Sequence, residues 1–138
     1  MSFESPSYGQ VNVGDELPEL AVPITTALVV GGAIASRDFV PVHHDKGHAQ
    51  SQGMPDVMMN LLTTQGIVGK YTTDWAGSDA TLKRLSVKLG APNYPGDTMK
   101  MTGKVAEKED GVVTLEVTGS NSWGDHVNAT VWVALPEA

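Results

Sequence analysis

The sequence has no cysteine, few basic residues and no long apolar run, and each of these shortages excludes a class of protein. Without cysteine there are no disulfides, thiolate metal sites or cysteine nucleophiles. Nine Lys and Arg against sixteen Asp and Glu give a formal net charge of −7. That charge argues against a nucleic-acid partner, because phosphate binding needs a basic surface. The longest apolar stretch, residues 27–35, contains two glycines and is too short to span a bilayer.

The composition and the first residues indicate a soluble protein of one domain. Apolar residues make up 41% of 138 residues, which is enough to bury a single core over residues 1–138. The first ten residues, MSFESPSYGQ, have no basic cluster and no apolar run, so we expect no signal peptide. We predict that residues 1–10 are flexible and that the protein is cytoplasmic and has no membrane contact.

The segment from Thr25 to about Arg37 is predicted to be a helix, with Thr25 or Thr26 as its N-cap. Gly31 and Gly32 weaken this prediction, because each glycine in a helix costs about 1 kcal/mol relative to alanine. Paired glycines also allow a neighbouring element to pack closely.

A break after this helix brings a carboxylate and an imidazole into one short region. Val40 precedes Pro41, and a residue before proline is pushed towards extended geometry. On a continuous helix Asp38 and His43, five residues apart, would be about 140° from each other. Across the break they can return to one cleft, where such a pair could hold a water molecule and share its protons. Alternatively, Asp38 caps its helix and His43 is an ordinary loop histidine.

A second helix, from Pro55 to about Tyr71, is predicted to be buried on most sides. Proline suits the first helical position, so the free N–H groups would begin at Asp56 and Val57. Free amides at a helix N-terminus form an anion site, which could stabilise a thioester enolate. The Asp56 carboxylate could equally occupy the same donors itself.

The rest of the chain alternates apolar and polar residues, which predicts half-buried strands. Turn signals join four such segments, centred on Val87, Met101, Leu115 and Val131. One buried helix followed by a run of antiparallel strands predicts an α+β fold in which the sheet wraps around the helix.

Other features of the sequence do not indicate a metal or a dinucleotide cofactor. His43, His44, Asp45 and His48 resemble a metal cluster, but no distant fourth ligand stands out, so we predict no metal site. The glycine pair lacks the spacing and the preceding strand of a dinucleotide loop.

Five of the nine basic residues fall between positions 83 and 104. They are Lys83, Arg84, Lys88, Lys100 and Lys104. This patch could bind an anionic ligand despite the acidic total charge. The alternative is that it is the solvated face of two strands.

The stretch Asp38-Phe39-Val40-Pro41-Val42-His43 resembles the Asp-x-Asn-Pro-x-His motif of MaoC-like (R)-specific enoyl-CoA hydratases. The resemblance implies a hotdog fold and an acyl-CoA substrate, with Asp38 and His43 activating water. It further implies a backbone N–H that binds the thioester oxygen, for which Val57 is the first candidate and Gly53 the second. The motif's Asn is Val40 here, which puts the support of the loop in question.

Longer stretches, among them residues 71–77 and 124–127, are similar to small MaoC-like subunits of actinobacterial steroid side-chain degradation. This similarity implies hydration of a steroid enoyl-CoA by a heterotetramer with a larger MaoC-like subunit. A homodimer is the alternative assembly. Lys83, Arg84 and Lys88 are the candidates for binding CoA.

Two other functions stay open at this point. A hotdog acyl-CoA thioesterase would need a carboxylate on or near the central helix, and Asp56 is the candidate. A non-catalytic subunit would complete a partner's site instead, and replacing Asp38 with alanine would then leave the rate unchanged.

Overall fold

The computed structural model describes residues 3–138, which form an α+β fold with one antiparallel sheet. The sheet has five strands in the order β1-β3-β4-β5-β2. The helices are α1 (Thr26–Ala35), α2 (Lys46–Ser51) and α3 (Leu61–Ala76). The strands are β1 (Glu16–Pro23), β2 (Thr81–Leu89), β3 (Thr98–Glu109), β4 (Val112–Asn121) and β5 (Gly124–Ala134). Single 3₁₀ turns lie at Tyr8–Gln10 and Pro41–His43.

The core lies between α3 and the inner face of the sheet. Alternate residues of the three central strands are fully buried there: Met99, Met101, Val113, Leu115, Val117, Val127, Val131 and Val133. Val68 and Tyr71 of α3 belong to the same cluster. A sheet packed around a long central helix confirms the predicted α+β hotdog fold.

The first helix follows the prediction closely. Thr25 is its N-cap, with the side-chain oxygen accepting a hydrogen bond from the Leu28 N–H. Gly32 lies against Thr63 of α3, and a Cβ placed on Gly32 would be 2.8 Å from Thr63 Cγ2. The glycine therefore allows α1 and α3 to pack closely at this point.

The predicted start of the central helix at Pro55 is wrong, because α3 begins at Leu61. Its N-cap is Asn60, whose side-chain oxygen accepts from the Thr63 N–H at 3.0 Å. The preceding residues are not helical: the Met58 N–H donates to Val42 O and the Met59 N–H to Asn93 O. These long-range hydrogen bonds outweigh the local preference of proline for a first helical turn.

The polar segment 44–53 contains the short helix α2, which is capped by Asp45. Residues 3–10 make hydrogen bonds to the rest of the chain, for example from Tyr8 N to Pro136 O and from Lys108 Nζ to Tyr8 O, and their flexibility stays a prediction. Residues 1 and 2, part of the same prediction, lie outside the described residues.

Among residues 3–138, no helix combines the length and the apolar character needed to cross a membrane.

Candidate active site

Asp38 and His43 lie side by side, as the break between them predicts. His43 Nε2 is 3.3 Å from Asp38 Oδ2. Asp38 follows the end of α1, and the intervening Arg37 has a left-handed backbone with φ of 58°. The chain then turns back through Pro41–His43, where a 3₁₀ turn presents the imidazole to the carboxylate.

The backbone of the segment before α3 fixes the tautomer of His43. Nδ1 lies 2.7 Å from Met58 O, and because a carbonyl oxygen can only accept, Nδ1 carries the proton of the neutral ring. Nε2 is then the exchangeable position, and it faces Asp38. The two side chains are 12% and 25% exposed, so the pair is sheltered but reachable.

Hydrogen bonds hold the Asp38 carboxylate on both oxygens. Oδ2 accepts from Asn60 Nδ2 at 3.1 Å, and Oδ1 accepts from the Val40 N–H at 3.3 Å. The pKa of Asp38 is lowered from its ordinary value, with the Asn60 hydrogen bond as the largest cause and the Val40 N–H and the nearby His43 as smaller ones. Asp38 is therefore ionised at neutral pH, as an acceptor of protons from water must be.

The two backbone N–H groups that the sequence suggested for binding the thioester oxygen both have hydrogen-bond partners in the structure. The Val57 N–H donates to Asp56 Oδ1 at 2.8 Å, and the Gly53 N–H donates to Gln50 O at 3.0 Å. The open donors of α3 belong to Leu61 and Leu62, whose N–H groups have no partner among residues 3–138. They lie beside Asn60, which contacts Asp38, and so the positive end of the helix is next to the dyad.

The histidine-rich segment does not gather its side chains around one point. His44 Nε2 is 3.1 Å from Phe39 O, while Asp45 Oδ1 caps α2 by accepting from the His48 N–H. His43 is held by Met58 and Asp38 as described above. Within the described residues, no group of three or more potential ligands is placed to hold a metal ion.

The CoA-binding candidates lie on the edge strand β2. Leu85 faces α3, where it lies against Gly69, and Arg84 and Lys88 alternate with it and so project from the opposite face. The Arg84 guanidinium stacks over Trp132 at 4.8 Å. Lys83 lies at an irregularity in the pairing of β2 with β5. A CoA role for these three residues is therefore still a prediction.

Two functional candidates were missed from the sequence. Asn60 is 2% exposed and links α3 to Asp38; an Asn before a helical run is a preferred N-cap, which was the available signal. His126 is also 2% exposed, with Nδ1 2.6 Å from Ala91 O and Nε2 2.8 Å from Thr64 Oγ1. Burial lowers the pKa of His126, although the Ala91 hydrogen bond opposes this. No local pattern identifies a buried histidine in a strand.

Asp56, the carboxylate that a thioesterase would need, is placed unfavourably for that reaction. It lies five residues before α3, and its oxygens are 2.8 Å from the Val57 nitrogen and 3.5 Å from Lys46 Nζ. The carboxylate on α3 itself, Asp74, is in the last turn and pairs with Lys70. The geometry thus favours chemistry at Asp38 and His43.

Comparison with known proteins identifies the family of this chain. A family model described as a MaoC like domain matches residues 11–127. The 3-oxo-4,17-pregnadiene-20-carboxyl-CoA hydratase beta subunit of Mycobacterium tuberculosis is 43% identical over 126 residues, which cover 91% of this chain and 98% of that protein. The ChsH1–ChsH2 complex of the same organism contains a chain with 44% identity and a TM-score of 0.88, with 90% of this chain and 98% of that chain covered.

A more distant structure shares the fold. The (R)-hydratase PhaJ1 of Pseudomonas aeruginosa is 21% identical, with a TM-score of 0.85 over 97% of this chain and 88% of that chain. The family match spans most of the sequence and includes the Asp38–His43 segment and the start of α3. The chain belongs to the MaoC-like domain family.

Proposed function

We propose that the protein is an enoyl-CoA hydratase subunit, a hydro-lyase that adds water across the α,β double bond of an acyl-CoA thioester. The observation that carries the proposal is the 3.3 Å approach of His43 Nε2 to Asp38 Oδ2, beside the open amide end of α3. Family membership and the hydratase relative support the same reaction.

The pair can balance the protons of hydration. As the water oxygen bonds to the β-carbon, Asp38 and His43 Nε2 together accept one proton from water, and they return one proton to the α-carbon. Met58 O holds the other ring nitrogen protonated, so exchange is confined to Nε2. The first-turn amides of α3 replace Val57 and Gly53 as our candidates for binding the enolate oxygen.

The substrate that we propose carries a large apolar acyl group of the steroid class. The Mycobacterium tuberculosis relative is named as a hydratase subunit for 3-oxo-4,17-pregnadiene-20-carboxyl-CoA, a steroid thioester. In this chain an apolar groove between α1 and α3, lined by Ser36, Leu62, Gly66 and Ile67 among others, runs from the dyad end of the two helices. Such a groove suits an apolar group better than a short polar one.

The assembly that we propose is a complex with a larger MaoC-like subunit rather than a homodimer. The matching structure is of a two-protein complex. Around the dyad of this chain, Phe39, Val40, Leu61 and Leu62 are between 44% and 63% exposed. Apolar side chains beside a catalytic pair are expected where a second subunit covers the site. A cytoplasmic location, inferred from the sequence, stays a prediction.

An activity assay tests the function directly. We would purify the chain alone and after co-expression with a larger MaoC-like subunit from the same organism, and follow hydration of steroid and short-chain enoyl-CoA esters. Asp38→Asn, His43→Gln and Asp38→Ala are expected to lower kcat by at least about 100-fold, as for loss of a general acid–base group.

The same assay separates the alternatives. Free thiol released without hydrated product would identify a thioesterase. Full activity of the Asp38→Ala complex would show that this chain is a non-catalytic subunit, and the proposed role of the dyad would be wrong.

A further inference from the structure

The side-chain amide of Asn60 is held in one orientation by its oxygen. Oδ1 accepts from the Thr63 N–H at 3.0 Å and from Thr63 Oγ1 at 2.5 Å. Because the Thr63 N–H can only donate, rotating the amide by 180° would set two donors against each other. The nitrogen must therefore point away from α3, towards the end of α1.

The nitrogen uses both of its hydrogens at that end. Nδ2 donates to Ser36 Oγ at 2.9 Å and to Asp38 Oδ2 at 3.1 Å. Ser36 Oγ itself donates to Gly32 O at 2.7 Å, so its oxygen is free to accept from Asn60. All four hydrogen-bonding positions of a 2% exposed amide are filled, and they join the end of α1, the start of α3 and the dyad.

We infer that Asn60 is a positioning residue for the dyad, which fixes the direction of the Asp38 carboxylate that faces His43. The inference rests on the proposed hydratase function. Val40, which stands where the resembled motif has Asn, is 53% exposed and can offer Asp38 a backbone N–H but no side-chain amide. Asn60 gives Asp38 its shorter hydrogen bond, 3.1 Å against 3.3 Å for Val40.

Asn60 affects the pKa of Asp38 as well as the position of its carboxylate. A donor on Oδ2 stabilises the charged carboxylate, and the Asn60 hydrogen bond is the largest cause that lowers the pKa of Asp38. Loss of this donor is expected to raise that pKa. The acid limb of the pH profile of kcat/KM, which reports the ionisation of Asp38, would then move to higher pH.

Two variants separate positioning from helix capping. Asn60→Asp keeps the shape and the cap acceptor for Thr63 but replaces the donor to Asp38 with a second carboxylate. Asn60→Ser keeps a good N-cap residue but is too short to reach Asp38. We expect kcat to fall about 10-fold or more in both variants, with KM changed less than threefold. The acid limb of the kcat/KM profile should move to higher pH in both, and further in Asn60→Asp because of its second carboxylate.

Thr25→Ala is the matched control, because it removes the N-cap of α1 without touching the dyad. It should lower stability and leave the pH profile in place. Unchanged kcat and an unmoved acid limb in Asn60→Ser would overturn the inference, and this holds even if Asn60→Asp fails to fold. A wild-type complex without hydratase activity would instead overturn the proposed function, so the two failures are distinguishable.

Discussion

The two adjacent glycines of α1 differ in their surroundings, which allows one packing contact to be measured. Gly31 is exposed, and beyond its own helix and chain neighbours no described atom lies within 4 Å of a Cβ placed on it. A Cβ on Gly32 would overlap Thr63 Oγ1 and would lie 2.8 Å from Cγ2 and 3.0 Å from Cβ of the same residue. A change of the Thr63 rotamer would move Oγ1 and Cγ2, but it would break the hydrogen bond from Oγ1 to Asn60 and leave Cβ in tight contact at 3.0 Å.

The expected magnitudes follow from these distances. Either Gly→Ala change gains about 1 kcal/mol of helix propensity. Gly31→Ala should therefore be more stable than the wild type by up to about that amount. Gly32→Ala gains the same propensity but overpacks the contact of α1 with α3, at a cost of about 1–3 kcal/mol. Since propensity cancels between the two variants, their difference in free energy of unfolding estimates the contact alone.

Urea unfolding of the two variants at one protein concentration gives this difference, provided that their m-values agree. Thr63→Ala in the Gly32→Ala background removes Oγ1 and Cγ2 and should recover part of the loss, as a non-additive coupling of neighbours. Equal stability of Gly31→Ala and Gly32→Ala would refute the reasoning, because it would mean that α1 and α3 separate without cost.

Three further predictions concern other parts of the chain. Burial lowers the pKa of His126, so below about pH 6.5 the unfolded chain binds a proton at this histidine more readily than the folded chain does. The free energy of unfolding should therefore fall as the pH drops, by at most about 1.4 kcal/mol per pH unit. His126→Gln should flatten the dependence of unfolding free energy on pH between pH 5 and 7, and parallel curves would contradict this. Arg37 has a left-handed backbone with φ of 58°, so Arg37→Gly should be neutral or stabilising by up to about 1 kcal/mol, and Arg37→Val should be destabilising, in thermal unfolding. The reverse order of stability would show that the left-handed geometry is not retained. If Lys88 binds a phosphate of CoA, Lys88→Ala should raise the KM for CoA esters several-fold. Lys100 is paired with Glu19, so Lys100→Ala is the control and should leave KM unchanged. Equal KM values for the two variants would remove Lys88 from the CoA site.

Four of the five strands could be predicted from alternation, but β1 could not. Glu16–Pro23 contains Pro18 and Pro23 and has no clean period of two. It forms an edge strand, which tolerates proline, and its register with β3 shifts between Leu17 and Leu20. The strand is specified by its pairing with β3 rather than by its own pattern, so a local interpretation of the sequence misses it.

In the active site too, features set by nearby residues could be predicted and features set by distant residues could not. The approach of Asp38 to His43 was predicted, because Pro41 lies between them and acts within six residues. The start of α3 was not, because residues 58 and 59 are held by Val42 and Asn93 from elsewhere in the chain. The contact of Asn60 with Asp38 spans 22 positions and exists once both helix ends are in place.

The dyad therefore depends on how closely α1 and α3 pack. Gly32 contacts Thr63, both the N–H and the hydroxyl of Thr63 hold the Asn60 oxygen, and the Asn60 nitrogen holds Asp38. The packing contact is close and the hydrogen bonds are directional, so a shift of one helix against the other moves the carboxylate relative to His43. A site of this kind depends on the packing of the fold as well as on the motif, because Asn60 and Thr63, which lie outside the motif, help to set its geometry.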